Sequence, residues 1–432
     1  MFPLGHGSWI VVIIACVATA LVVAVIAFLS RLTGGREFTD DLPGIHLLAS
    51  HPLALVGHNR ALLDKLAGGF AAYPPLQPLL MALALAPFSF LPDFWSHRLA
   101  TALVVLACTY QGWGLLSARS QPGTATRRLI GAAVFVQLIC AGAVWAQLDD
   151  AIAALVVLSI ARLRPKTATG AILASGAMLF CSKSLLFPAA AALIVIQFRS
   201  AKSWKRVSTV IALAAFVIVL VLNRLTMRLL PADPFTTWGD LVPTLGVGLT
   251  TLLWNLGLHA KFMRNAVLQF PMAICVGVLL ATWKVARTSE RQGGLFQTVV
   301  EIAPVAGRFA LVLSELFIGF SQPEYLLWIV AGWLLLSPST LDSRLFRQLT
   351  MLSLAAVAAW GTNICYGLVH AEVGPKRRLL DIVASYTGES GLHALWYLCL
   401  FATSTLLIGT IAADFGPDQK QLDHWDCGRG LA

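Results

Sequence analysis

SWIVVIIACVATALVVAVIAFL, residues 8–29, is a run of about 22 residues without one charged side chain. As a helix rising 1.5 Å per residue it is long enough to cross a hydrocarbon core of roughly 30 Å. It is too long for a signal-peptide core and lacks a small-residue cleavage site leading into soluble sequence, so it reads as a retained first transmembrane helix. Similar runs follow at 76–91, 98–116, 129–146, 151–163, 168–182, 185–198, 207–225, 267–286, 304–320, 324–338, 347–368 and 391–412. Backbone in lipid must satisfy its own hydrogen bonds, and these runs are too long and too uniformly apolar for alternating barrel strands. The sequence therefore predicts an all-α, polytopic membrane helix bundle of 11–13 segments.

Composition agrees. Of 432 residues, 58% are hydrophobic and 12% are Asp, Glu, Lys or Arg, about half the charged share usual in soluble proteins. A mean hydropathy of +0.77 exceeds what one soluble core could bury, which excludes a soluble globular enzyme. The net charge is +10, but the basic residues fall in short clusters between apolar runs, where they orient the chain against a membrane rather than bind nucleic acid. Seven of the eight cysteines, Cys16, Cys108, Cys140, Cys181, Cys275, Cys365 and Cys399, lie in or beside apolar runs as small hydrophobes; only Cys427 is in a polar segment. No CxxC or Cys/His ligand spacing supports a metal site.

A single membrane domain is expected over residues 1–413, with long connections at 30–73 and 226–266 and a polar tail at 414–432 in the cytoplasm. The clusters Arg119/Arg127/Arg128, Arg162/Arg164/Lys166, Arg199/Lys202/Lys205/Arg206, Lys284/Arg287/Arg291 and Arg344/Arg347 mark the cytoplasmic side. Gln147, Asp149, Asp150, Lys183, residues 226–266, 321–324 and 369–390 then face the opposite compartment. Counting 76–91 and 98–116 both as crossings would put Arg119–Arg128 outside. Residues 74–91, with Pro74, Pro75, Pro78 and Pro87, are therefore the candidate for a segment that enters and leaves on one face; an outside N-terminus or a loop that ignores the charge bias are the alternatives.

The first long connection opens with Arg36-Glu37-Phe38-Thr39-Asp40-Asp41-Leu42-Pro43 and closes with Ala71-Ala72-Tyr73-Pro74-Pro75-Leu76. Vicinal carboxylates repel, and one at a low-dielectric boundary is harder to ionise, which suits a general base taking a proton from a hydroxyl. A solvated acidic turn or an N-cap would carry the same residues.

An acidic Thr-Asp-Asp after the first helix, an amphipathic loop, then Tyr-Pro-Pro-Leu at the next helix resembles the GT-C superfamily of glycosyltransferases. It is most similar to the polyprenyl-phosphate-mannose-dependent mannosyltransferases, the GPI first mannosyltransferases and the bacterial phosphatidylinositol-mannoside enzymes. Ala146-Gln147-Leu148-Asp149 resembles the Gly-Gln-x-Asn step of the bacterial branch, departing from it at Ala146 and Asp149. Lys183 before Pro188 resembles its helix-breaking lysine, and Ser321-Gln322-Pro323-Glu324-Tyr325-Leu326-Leu327-Trp328 its late Ser-x-x-Tyr-x-x-Trp element. The likeness runs from residue 8 to 338 through short motifs. It implies a GT-C-like bundle with amphipathic helices in the first extracytoplasmic loop of a multi-pass plasma (inner) membrane protein. It also implies inverting transfer of a sugar, mannose by family, from a polyprenyl-phosphate donor to a lipid, glycan or protein acceptor outside the cytoplasm. The donor is a substrate, and neither cofactor nor metal is implied. By carry-over the base is Asp41 or Asp40; the family often separates two acids by a residue, whereas here they adjoin, and Asp41 is preferred.

The leaving phosphate needs cations or amides nearby. Lys183, flanked by apolar runs, is the first candidate, and otherwise a snorkelling lysine at a helix end. His259, after Trp254-Asn255-Leu256-Gly257-Leu258, bridges donor or acceptor, or simply caps. Lys376-Arg377-Arg378 follow Gly374-Pro375 on the side opposite the positive-inside trend, fit to receive an anionic lipid or to sit solvated in a loop. Asp149 and Asp150 read as N-caps or sugar ligands alongside Gln147, while Gln322 and Glu324 belong to the late element. Tyr73 rests at the interface beside helix-starting prolines, and Trp238, Trp254 and Trp328 are the aromatics able to stack on a sugar. The competing expectation is a transporter or flippase of lipid-linked saccharides, with Lys183 and Asp150 coupling transport; such a carrier should show broken helices in matching positions of two halves. A purely structural subunit leaves the first-loop acids unexplained.

Overall fold

The computed structural model describes residues 76–119, 148–163, 168–181, 186–198, 266–288, 295–317, 325–338, 343–369 and 375–415. These are helical, and among them there is no strand. In chain order they form α1 Leu76–Leu85, a 3-10 turn Ala86–Phe88, α2 Asp93–Arg119, α3 Leu148–Leu163, α4 Ala168–Cys181, α5 Phe187–Phe198, α6 Ala266–Thr288, α7 Leu295–Phe317, α8 Tyr325–Leu335, α9 Ser343–Val369 and α10 Pro375–Ala412, closed by a 3-10 turn Ala413–Phe415.

Among the described residues two helices are long and apolar enough to cross a membrane, over Trp95–Leu116 in α2 and over Ser390–Phe415 in α10 and its closing turn. Both present large apolar side chains outward. Leu395, Leu398, Phe401 and Ile408 on α10, and Leu103 and Tyr110 on α2, are all exposed, a surface that water would penalise and lipid would not.

Other apolar runs form shorter elements. α3, α4, α5 and α8 have 16, 14, 12 and 11 described residues, against roughly 20 for a helix that crosses alone. α1 has 10 described residues, about 15 Å of helix, and breaks at Pro87 into the 3-10 turn that leads to α2. Ser96, in the first turn of α2, donates its hydroxyl to the Phe88 carbonyl and so fastens that corner.

Two antiparallel hairpins, α6/α7 and α9/α10, pack beside a group made of α2, α3, α4, α5 and α8. The centre belongs to α7 and α8. From Ala306 to Leu316 every residue of α7 is buried, as is every residue of α8 from Leu326 to Leu334, including Trp328 and Trp333. Pro304 marks the change from the half-buried start of α7 to this enclosed part. Small residues let backbones approach where no water drives association. A Cβ on Gly277 of α6 would lie 2.9 Å from the Ala310 backbone nitrogen of α7, and one on Gly307 would lie 3.2 Å from the Pro188 carbonyl oxygen of α5.

Candidate functional site

The bundle has two distinguishable ends. At one, Arg119, the last residue of α2, is buried and donates to the Leu334 carbonyl of α8 and, at 3.5 Å, to the Ala161 carbonyl of α3. One guanidinium thus serves the carbonyl-rich termini of two neighbouring helices, where positive charge is favoured. Arg162 reaches Gln111 at 2.8 Å and lies over the Tyr110 ring. Nearby, Asp414 accepts Lys284 at 2.7 Å and Arg308 at 3.6 Å, while Arg344 donates to its backbone carbonyl at 3.5 Å. Arg308 also lies 5.8 Å from the centre of the Trp333 ring, which joins this cluster to the end of α8. The ends of α2, α3, α6, α8 and α10 and the start of α9 therefore gather together, and they carry Arg119, Arg162, Lys284 and Arg344, one residue from each of four basic clusters. Asp414, which composition assigns to a solvated tail, is instead only 2% exposed. Phe415 follows it into the bundle, its ring 4.9 Å from Trp283 and 5.7 Å from Phe309.

The other helix ends meet inside. Cys108, close to the middle of the candidate span Trp95–Leu116, donates its thiol to the Ala151 carbonyl at 3.4 Å, so α3 starts about halfway along that span. α8 starts at a similar height, because Leu334 and Ala161 share Arg119 and α8 begins nine residues before Leu334. Gly332 of α8 faces Leu311 of α7 and Leu186 and Ala189 at the start of α5. From that level α7 ends six residues on and α8 starts seven residues back, which brings the two termini together. Ser175 of α4 donates to the Ala190 carbonyl of α5 at 3.1 Å, so α4 ends within a turn or two of the same level. The end of α4, the start of α5, the end of α7 and the start of α8 thus lie close together in the interior.

At that depth lie two buried carboxylates. Asp150, in the first turn of α3, is 3% exposed, and Glu315, in the last turns of α7, is 1% exposed. Sequence reading puts Asp149 and Asp150 at the outer face as N-caps. In the structure Asp150 belongs to the first turn of α3, where a carboxylate complements the amide end, and it is enclosed among neighbouring helices. Asp149 shares that turn. Glu315 is the residue that motif reading missed, although one acid in the apolar run 304–320 was a visible signal; an ionisable group at such depth is a functional candidate.

Trp328 is 1% exposed within the packed core, so its ring has no open face for a sugar. Lys376 and Arg377 occupy the first turn of α10, not a loop. Asp40, Asp41, Tyr73, Gln147, Lys183, His259, Gln322 and Glu324 lie outside the described residues. Among the described residues no group of His, Cys, Asp and Glu is arranged to hold a metal. No protein-family model, curated protein or solved structure matches this chain.

Proposed function

We propose that the protein is a multi-pass membrane glycosyltransferase that moves a sugar, mannose by resemblance, from a polyprenyl phosphate to an acceptor outside the cytoplasm. The observation that carries this reading is the meeting of five helix termini and two buried carboxylates near mid-depth, away from the basic end. A lipid-tethered donor needs an interior space reached from one side, and helix starts at its floor offer backbone amides to a departing phosphate. Asp41, or failing that Asp40, takes the proton from the acceptor hydroxyl as that oxygen attacks the anomeric carbon. The C–O bond to the lipid phosphate breaks on the opposite face, and the lipid phosphate leaves with the bonding pair. Asp150 and Glu315, enclosed at the level of the floor, position the helix ends that surround it.

The test is transfer in vesicles containing purified protein, a defined polyprenyl-phosphate sugar and membrane acceptors. Asp41→Asn or Asp40→Asn should abolish transfer while donor binding persists; full transfer by both variants refutes the assignment. Mass spectrometry of co-purifying lipids should find a polyprenyl phosphate.

One observation favours a second reading, translocation of a lipid-linked saccharide. The ends of α4 and α7 and the starts of α5 and α8, gathered near mid-depth, are like the interrupted helices that carriers use around a central site. Movement of a labelled lipid-linked saccharide across vesicles without bond cleavage would select this reading over transfer.

A further inference from the structure

α10 is too long for its place. A Cβ on Gly361 of α9 would lie 3.8 Å from the Cys399 Cβ of α10, so these residues are level, and Gln348 donates to the Thr410 carbonyl at 2.9 Å in the same antiparallel register. Val369, eight residues beyond Gly361, is then level with residue 391, eight before Cys399. Were α10 straight, Pro375 would stand 16 residues farther out, about 24 Å at 1.5 Å per residue. The six residue steps from Val369 to Pro375 reach about 22 Å at full extension, and part of that is used crossing between helix axes roughly 8–10 Å apart. The chain closes only if α10 bends, and Gly388 with the Ser390-Gly391 pair supplies residues at which helices kink.

The bend falls at the edge of the candidate span Ser390–Phe415. Residues 375–389 therefore depart from the axis of that span. Leu379, Ile382, Val383 and Tyr386 recur at helical spacing there, with Asp381 and Ser385 at intervening positions, and Ser385 is exposed. Three successive cations, Lys376, Arg377 and Arg378, occupy the first turn. An amphipathic helix with basic residues, continuous with a spanning helix, has the composition of a segment that lies in the headgroup layer.

We propose that residues 375–389 are an interfacial arm that lies along the bilayer at the end opposite Asp414 and is held by anionic phospholipid headgroups at Lys376, Arg377 and Arg378. This rests on the membrane setting of the function proposed above, but not on its chemistry.

Hydrogen exchange of the full-length protein in nanodiscs, read by mass spectrometry, tests it. Amides of 377–389 should exchange about a hundredfold more slowly in discs containing phosphatidylglycerol than in phosphatidylcholine alone, since each basic residue near an anionic surface strengthens attachment several-fold. The Lys376→Gln/Arg377→Gln/Arg378→Gln variant should lose that difference while amides of 395–410 stay protected. Equal exchange in both lipids, or protection that survives the triple substitution, overturns the arm. Protection in phosphatidylcholine discs on adding inorganic phosphate would also overturn it, because a soluble anion would then be the ligand. Rapid exchange of 395–410 in every disc would instead refute the membrane setting.

Discussion

Lys284 of α6 and Asp414, two residues past the end of α10, are joined at 2.7 Å with the Asp414 side chain almost wholly enclosed. The pair ties the α9/α10 hairpin to α6/α7 at one end of the bundle, and Arg308 adds a second cation from α7. Asp414→Asn should cost about 3 kcal/mol, because two enclosed cations lose their shared counter-charge. Lys284→Met should cost less, since Asp414 keeps Arg308. Thermal unfolding in detergent gives the order; equal midpoints for both variants and the parent would remove the pair from any account of stability.

Arg119 leads to a second prediction. Arg119→Met strips donors from the Leu334 and Ala161 carbonyls at the ends of α8 and α3, a loss of about 1–3 kcal/mol. Arg119→Lys should recover part of it, as a single ammonium cannot fork to both carbonyls as a guanidinium does. Recovery by Lys equal to the parent would show that charge alone matters there.

Backbone proximity sets the third. Gly277→Ala pushes a methyl against the backbone of Ala310, which has no rotamer with which to yield, so α6 and α7 must separate at a cost of about 1–3 kcal/mol. Gly409→Ala is the control, since its methyl would meet only the flexible end of Met351, the sulfur at 3.4 Å and the methyl at 3.9 Å. A midpoint drop of the same size in both variants contradicts this account.

Glu315→Gln keeps the shape of the enclosed side chain while removing its acid group. It should leave the thermal midpoint near that of the parent and slow transfer, or translocation under the second reading. Full activity in this variant would make Glu315 a packing residue.

Much of this was legible in the chain. The helical class followed from apolar runs that no barrel could use, and Arg119, Arg162, Lys284 and Arg344 gather at one end because isolated cations in apolar sequence are unambiguous markers. Depth was not legible. The run at 151–163 gives α3 a length, but only packing against Cys108 shows that Asp150 begins midway along a neighbour. Asp414 looked like tail because local composition is polar; its burial depends on Lys284, 130 residues earlier in the sequence. Trp328 fits an aromatic sugar platform by type, and its enclosure comes from neighbours that no motif spells out.

The all-round enclosure of α8 bears on how the chain is built. An eleven-residue helix cannot be handed to lipid as an independent unit during synthesis, since it is too short to cross and Leu326–Leu334 leave no face for acyl chains. The ribosome has already delivered α3, α5 and α7 when α8 emerges, and α9, which closes over it, comes next. The middle of this protein is therefore the part that waits on its elders, and translation arrested before α9 should leave it open to protease.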